Sequence, residues 1–218
     1  MSKQHVVVIF PHPDDESFGA SGTISKFRDD GVPVTYLCGT LGEMGRNMGN
    51  PVFANRETLS SFRKKELAEA AKQLDIEVEY LGYRDKTLEF EPVEEMAEHL
   101  KERIESLNAT TVITHYPGYA VHPDHDALGK AVVEAVRQIE ENNRPDVWMH
   151  AISNNHEEDL GEPQIVHNVE PFWDRKLAAI KAHLSQADGM MSLIQSQDQQ
   201  AEQLERLKTE RFYQYKFD

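Results

Sequence analysis

Val6-Val7-Val8-Ile9-Phe10-Pro11-His12-Pro13-Asp14-Asp15-Glu16 is the stretch on which the fold turns. A short apolar run of β-branched and aromatic residues, closed by a proline, reads as a strand buried on both faces, as in a parallel sheet. The chain then passes at once from apolar to His, Asp and Glu. Open α/β sheets hold their ligands just outside the carboxyl ends of their strands. A polar motif in this place is therefore a candidate for chemistry as well as for a turn.

Outward from that stretch, short β-branched runs alternate with helical spacing. Strands are predicted over His5–Phe10, Val34–Cys38, Glu77–Leu81, Thr110–Thr114 and Val147–Ile152, and helices over Ser17–Asp30, Glu57–Leu74, Pro92–Leu107 and Asp124–Asn142. This βαβαβαβαβ order implies an α/β fold, a Rossmann-like and mostly parallel sheet with helices on both faces. Val93, Met96, Ala97, Leu100, Ile104 and Leu107 form one apolar stripe, and Leu128, Ala131, Val132, Ala135, Val136 and Ile139 another. Gly31 is placed to stop the first helix. After Ser153 the pattern loosens, and Phe172–Leu184 and Gln197–Phe212 read as two further helices joined by an irregular Ser185–Ser196 link. No linker divides the chain, so one domain over 1–218 is expected. Gly39–Asn55, glycine-containing and aperiodic, reads as a substrate-facing loop, with disorder as the plainer alternative.

The 218 residues are enough for a sizeable core. A formal charge of −15 without a Lys/Arg-rich run argues against a nucleic-acid binder and against docking on anionic lipid. Cys38 is the only cysteine, which excludes an intrachain disulfide, and it ends an apolar run as a small buried hydrophobe. No apolar stretch approaches the ~20 residues of a membrane span, and none resembles a secretory leader, so a cytoplasmic location is expected.

A second motif, His122-Pro123-Asp124-His125, follows the fourth strand by a short loop. Both motifs thus belong past the carboxyl ends of strands and should face one crevice. Imidazoles and one carboxylate can hold a cation of the zinc type with a position left open for water or substrate. A carboxylate outside the ligand set can take a proton from water. Asp14 and Asp15 offer one group for each task, and the spacing does not say which. His122 and His125 likewise offer a ligand and an acid or electrophile, with Asp124 placed to orient an imidazole. The plainer reading is two polar helix starts, Pro-Asp-Asp as an N-cap and Pro123 in a first turn.

The two motifs together, with Gly19-Ala20-Ser21-Gly22-Thr23 after the first, resemble the PIG-L or LmbE-like N-acetylglucosaminyl deacetylases over His5 to about Asn142. The loop Cys38–Asn50 further resembles the bacterial deacetylases of low-molecular-weight-thiol biosynthesis, the bacillithiol branch among them. The resemblance implies that His12, Asp15 and His125 bind the metal, normally zinc. It implies that Asp14 is the general base, that His122 protonates the leaving amine or stabilises the oxyanion, and that Asp124 is hydrogen-bonded behind an imidazole. Arg63 matches an arginine that holds substrate, where a guanidinium fork suits a hydroxyl or carboxylate; its plainer reading is an exposed helical pair with Glu66. Glu43, Arg46 and Asp85 resemble substrate-side positions, and Tyr119 is the candidate for a tyrosine that assists the oxyanion.

The implied reaction is hydrolysis of the acetamide of a small-molecule sugar conjugate, N-acetylglucosaminyl malate for the thiol branch. The alternatives are another N-acetyl sugar, such as a mycothiol-type conjugate or a chitooligosaccharide end, and a non-catalytic metal-binding protein on the same fold. Iron(II), cobalt and manganese also suit imidazole and carboxylate ligands. His5, His99, His150, His156, His167 and His183 have no partner at ligand spacing, while His115 ends the fourth strand near the site. Trp148 and Trp173 read as core or interface residues. Leu204 and Leu207, on one side of the last expected helix, would pack on the domain or form a contact between copies, making a homo-oligomer.

Overall fold

A computed structural model describes residues 4–189, 191 and 207–217. Strand β1, Val6–Phe10, is buried at every position because it runs along the middle of the sheet. It pairs parallel with β2, Val34–Cys38, on one side and with β4, Thr111–His115, on the other. The remaining strands are β3 (Glu77–Tyr80), β5 (Asp146–His150), β6 (Ile165–Asn168) and β7 (Thr209–Gln214). Among the described residues these seven form one sheet in the order β3-β2-β1-β4-β5-β7-β6. β3, β4 and β5 continue the parallel set, and β7 runs antiparallel between β5 and β6.

The helices are α1 (Asp15–Gly19), α2 (Ser21–Asp29), α3 (Leu59–Leu74), α4 (Val93–Ser106), α5 (Pro123–Arg137), α6 (His156–Leu160) and α7 (Trp173–Ala182). The period-2 alternation of β1 divides the core between the two faces of the sheet. Val7 and Ile9 pack with Leu37 and Val112 against Met96 and Leu100 of α4 and Leu128 and Val132 of α5. Val6, Val8 and Phe10 pack with Tyr36 against Ile24 of α2, Leu67 and Leu74 of α3 and Ala179 of α7. None of the described helices is long and apolar enough to cross a membrane.

Strand order reverses between β1 and β4, so the chain leaves these neighbours toward opposite sides and opens a crevice at their carboxyl ends. The first motif follows β1 and the second follows β4 through residues 116–121. The loop 39–55 closes one wall. Its start is fixed to the turn after β1, where the Gly39 and Thr40 amides donate to the carbonyls of Phe10 and Pro11.

Three expectations need correction. The first helix is two helices that meet at Ala20, whose φ of −142° is not helical. The cause is Glu210 on β7, whose carboxylate accepts the amides of Gly22 and Thr23 at 2.9 and 2.7 Å and so caps a new helix start. The helix predicted over Gln197–Phe212 fails at its end: Thr209–Gln214 is a strand, and residues 197–206 lie outside the described residues. A charged residue on the buried face of the strand disguised it, since Glu210 is paired there with Lys176 at 2.6 Å. The polar stretch after Ser153, given no element, holds α6 and β6.

Phe212 has no exposure and lies among Trp148, His150 and His167. Truncating a buried aromatic leaves a cavity worth ~3–5 kcal/mol. Phe212→Ala is expected to lower the unfolding free energy by about that amount in urea titration; a loss below ~1 kcal/mol would mean that β7 is not a core strand.

Candidate active site

The chain leaves β1 through Pro11 and must turn sharply to bring its acidic residues under the crevice. Asp14 takes the strain, with φ 124° and ψ −28°. A non-glycine residue held there costs of order 1–3 kcal/mol and persists only where its surroundings fix it. Those surroundings are polar and buried. The Glu16 carboxylate accepts the Asp14 amide at 3.0 Å, and Arg63 on α3 donates to the Asp14 carboxylate at 3.1 Å. The Tyr36 hydroxyl donates to the His12 carbonyl at 2.5 Å.

His12, Asp15 and His125 converge. His12 Nδ1 lies 3.2 Å from His125 Nε2 and 3.4 Å from Asp15 Oδ2, and His125 Nε2 lies 3.4 Å from Asp15 Oδ1. The outer nitrogens decide what these inner atoms are. His125 Nδ1 donates to the Ala120 carbonyl at 3.0 Å, since a carbonyl only accepts. His12 Nε2 faces carboxylate oxygens of Asp124 and Asp85, each at 3.2 Å. Both imidazoles, when neutral, thus turn a lone pair inward beside a carboxylate, and an arrangement of acceptors alone requires a cation or a proton between them. Four ligand atoms placed tetrahedrally at ~2.1 Å bonds stand roughly 3.4 Å apart, so these spacings fit such an ion. The residues present therefore fit a divalent metal. Among the described residues the ligand-capable sets are His12–His122–His125, Asp15–His115–His125 and His12–Asp85–Asp124, and each contains His12 or His125.

The electrostatics agree with this geometry. Burial alone would lower the His12 ring, but its bonds to Asp124, Asp15 and Asp85 outweigh burial and hold it well above the usual range. Burial would raise Asp15, yet His125 and His12 hold it well below. Asp14 is pushed up to about 6 by burial, against the pull of Arg63 and with a push from Asp15. Burial, and then His12 and His125, lower His122 below the usual imidazole range, which favours its neutral form. Its Nδ1 accepts the Asp124 amide at 3.1 Å, which leaves the proton on Nε2.

The other predicted positions separate. Asp124 has no exposure and accepts the Lys86 and Leu88 amides at 2.7 and 3.2 Å, so it backs His12 and not its helix neighbour His125. Asp85 accepts the Met44 amide at 2.7 Å; against burial, the His12 bond and charge bring it to about 2. Glu43 accepts the Asp85 amide at 3.0 Å and keeps one buried oxygen unpartnered. Arg63 is 4% exposed, neither a surface pair nor an open hand: its fork donates to the carbonyls of Gly42 and Pro13 and to Asp14. Glu66 bonds Ser185 instead, at 2.8 and 2.6 Å. Arg46 is exposed on the loop. Tyr119 lies against Tyr116, with ring centroids 5.4 Å apart, and its carbonyl holds the Ile152 and Ser153 amides.

His115 stands near the site, where the sequence placed it, and Glu16 and His183 escaped the sequence reading. His115 stacks on His125 at 4.0 Å and 11°. Burial and the neighbouring His125 hold its ring well below the usual range. Glu16 and His183, both without exposure, pair at 2.8 Å beneath Asp14. Glu16 at least stood inside the motif, whereas nothing local marks His183.

Comparison with known proteins meets this geometry from another side. A model of the family described as PIG-L, GlcNAc-PI de-N-acetylase, matches residues 7–136. A Bacillus cereus protein named "Probable N-acetyl-alpha-D-glucosaminyl L-malate deacetylase 2" is 48% identical, over 99% of this chain and 100% of its own. The fold is shared with the N,N'-diacetylchitobiose deacetylase of Pyrococcus horikoshii, at a TM-score of 0.74 and 24% identity over 98% of this chain and 84% of that one. It is shared equally with the 4-carboxy-2-hydroxymuconate hydratase GalB of a Pseudomonas, TM-score 0.73 and 18% identity over 99% and 97%. One backbone thus carries unlike reactions, and the assignment rests on the motifs at the β1 and β4 ends, which the family match spans. With those motifs gathered around one acceptor-lined hole, the chain belongs to the PIG-L family of de-N-acetylases, hydrolases that act on an amide.

Proposed function

We propose that this chain is a zinc-dependent N-deacetylase that hydrolyses the acetamide of N-acetylglucosaminyl malate to the free amine and acetate. The observation that carries the chemistry is the spare carboxylate: Asp14 stands beside the His12, Asp15 and His125 set without belonging to it. A binding-only site needs no such group. When bound, the metal supplies Lewis-acid polarisation of the acetyl carbonyl and an acidified water. Asp14 would be the carboxylate that accepts a proton from the attacking water, and Arg63 holds that carboxylate in place by donating to it. His122 offers Nε2–H, already fixed by the bond at its Nδ1, to the developing oxyanion or to the departing amine nitrogen. Asp124 and Asp85 accept the Nε2 proton of His12 from behind, so that in the neutral ring the lone pair stands on the inner nitrogen.

The substrate assignment is supported by the name of the Bacillus cereus relative, whose likeness runs the length of both chains. The exposed guanidinium of Arg46, on the loop that walls the crevice, suits the carboxylates of a malate aglycone. The two imidazoles and single carboxylate suit zinc, and iron(II) fits the same donors.

Metal-stripped protein, with and without added zinc, assayed for amine release from N-acetylglucosaminyl malate and from plain N-acetylglucosamine tests this reading. Zinc-dependent release that strongly prefers the malate conjugate is expected. Release from neither would sink it.

Gly42 gives a second test. Its φ is +61°, and an added Cβ would overlap the Arg63 guanidinium. Gly42→Ala is therefore expected to drive Arg63 off Asp14 and to lower kcat about 10²-fold, the scale of a 1 Å misplacement, with zinc content unchanged. Wild-type kcat in that variant would remove Arg63 from the mechanism.

A further inference from the structure

The family match ends at residue 136, yet a short segment well beyond it touches three separate parts of the site. At the end of α7, His183 Nε2 donates to Glu16 Oε1 at 2.8 Å, and the other oxygen of Glu16 holds the Asp14 amide. Two residues on, Ser185 gives its amide and hydroxyl to the two oxygens of Glu66, which lies one turn along α3 from Arg63. The Ser185 carbonyl accepts the Met48 amide at 2.7 Å, and the Gln186 side chain donates to the Arg46 carbonyl at 2.8 Å. The acidic motif, the arginine helix and the 39–55 loop are thus tied to one another through residues that touch no ligand of the proposed metal.

We infer that the 183–186 segment is a brace that sets the catalytic base, with His183 a positioning residue acting on Asp14 through Glu16. The left-handed φ of Asp14 is not favoured by its own sequence, and an acceptor at a fixed place must hold it. Glu16 is that acceptor. Its carboxylate is fully buried, and among the described residues the His183 ring and the Ser17 hydroxyl share its Oε1. Without the ring the carboxylate turns toward whatever donor remains, and the Asp14 amide and carboxylate move with it. The loss falls on the proton transfer and not on sugar binding, so kcat should move and KM should not. The inference rests on the deacetylase reading only for its kinetic half.

The length of the replacing amide separates positioning from packing. In His183→Gln the amide nitrogen takes the place of Nε2 and still reaches Glu16. In His183→Asn it takes the place of Nδ1 and does not. In zinc-loaded full-length protein, assayed on N-acetylglucosaminyl malate, Gln is expected to stay within about 3-fold of wild-type kcat and Asn to fall roughly 10²-fold. KM and zinc stoichiometry should hold in both. A second readout needs no turnover: in metal-free protein, exchange of the Asp14 amide proton should quicken about 10-fold in the Asn variant and not in the Gln variant. Equal kcat in Asn and wild type, or equal losses and equal exchange in Asn and Gln, overturns the brace. If wild type turns over no N-acetyl sugar, the deacetylase reading fails and the exchange rates still decide the brace. Should the Asn variant not fold, Glu16→Gln replaces it, expected to lower kcat about 10-fold at unchanged KM; wild-type kcat there also overturns the brace.

Discussion

Replacing Asp14 by Asn is expected to lower kcat by about 10²–10⁴-fold, the range a positioned general base contributes, and to leave zinc bound at full stoichiometry. Asn is the informative replacement for three physical reasons. It is among the residues most tolerant of positive φ, so the strained turn at 124° survives. Its amide oxygen can still accept from Arg63, so the buried guanidinium keeps a partner. Its backbone amide still meets Glu16, so the connection to His183 is intact. What disappears is the ability to take a proton. Ala would test less cleanly, because it adds an unpaired arginine and an unfavourable φ to the lost base, and its melting temperature should drop below that of the Asn variant. Full activity in the Asn protein would transfer the base to another carboxylate, with Asp85 the nearest in kind.

The parts of this molecule that were legible in its sequence are those whose signal is local. The buried strands β1, β2 and β4 announce themselves by their apolar, β-branched runs, and the stripes of α4 and α5 by their 3.6 spacing. The first motif stands out because His and Asp follow directly on a fully apolar strand, at the end where α/β sheets hold their ligands. What was not legible depends on contacts across the chain. The strand Thr209–Gln214 carries a glutamate on its inner face, and only Lys176, with the amides of Gly22 and Thr23, makes that tolerable. Arg63 looks like a surface helical residue until the carbonyls of Pro13 and Gly42 are brought to it. Which imidazole Asp124 supports could not be read from the motif, since its helix neighbour His125 is nearer in sequence than His12. His183 is isolated in sequence and becomes part of the site only when α7 packs under α1.

The corresponding expectation for Asp15→Asn is loss of the metal itself. Asp15 is the single negative charge of the proposed ligand set, and both of its oxygens are engaged, Oδ2 also accepting the His12 amide at 2.9 Å. An Asn there keeps an acceptor for that amide, so the turn should fold. Its amide nitrogen, however, can donate to the inner lone pair of His12 or His125 and so satisfy with a hydrogen bond what otherwise needs a cation. Two neutral imidazoles and an amide also leave the charge of a divalent ion uncompensated in a buried place. Losing a partner that merely supports a ligand typically costs 10–100-fold in metal affinity, which is the expectation for Asp124→Asn. Asp15→Asn should exceed that, and kcat at limiting zinc should fall in step with occupancy. Titration against a competing chelator separates the two variants. If Asp15→Asn held zinc as tightly as wild type while Asp124→Asn lost it, the ion would belong to His12, Asp85 and Asp124, the fully buried set on the far side of the same ring. In that case Asp15 as well as Asp14 would be a carboxylate left free to take the proton.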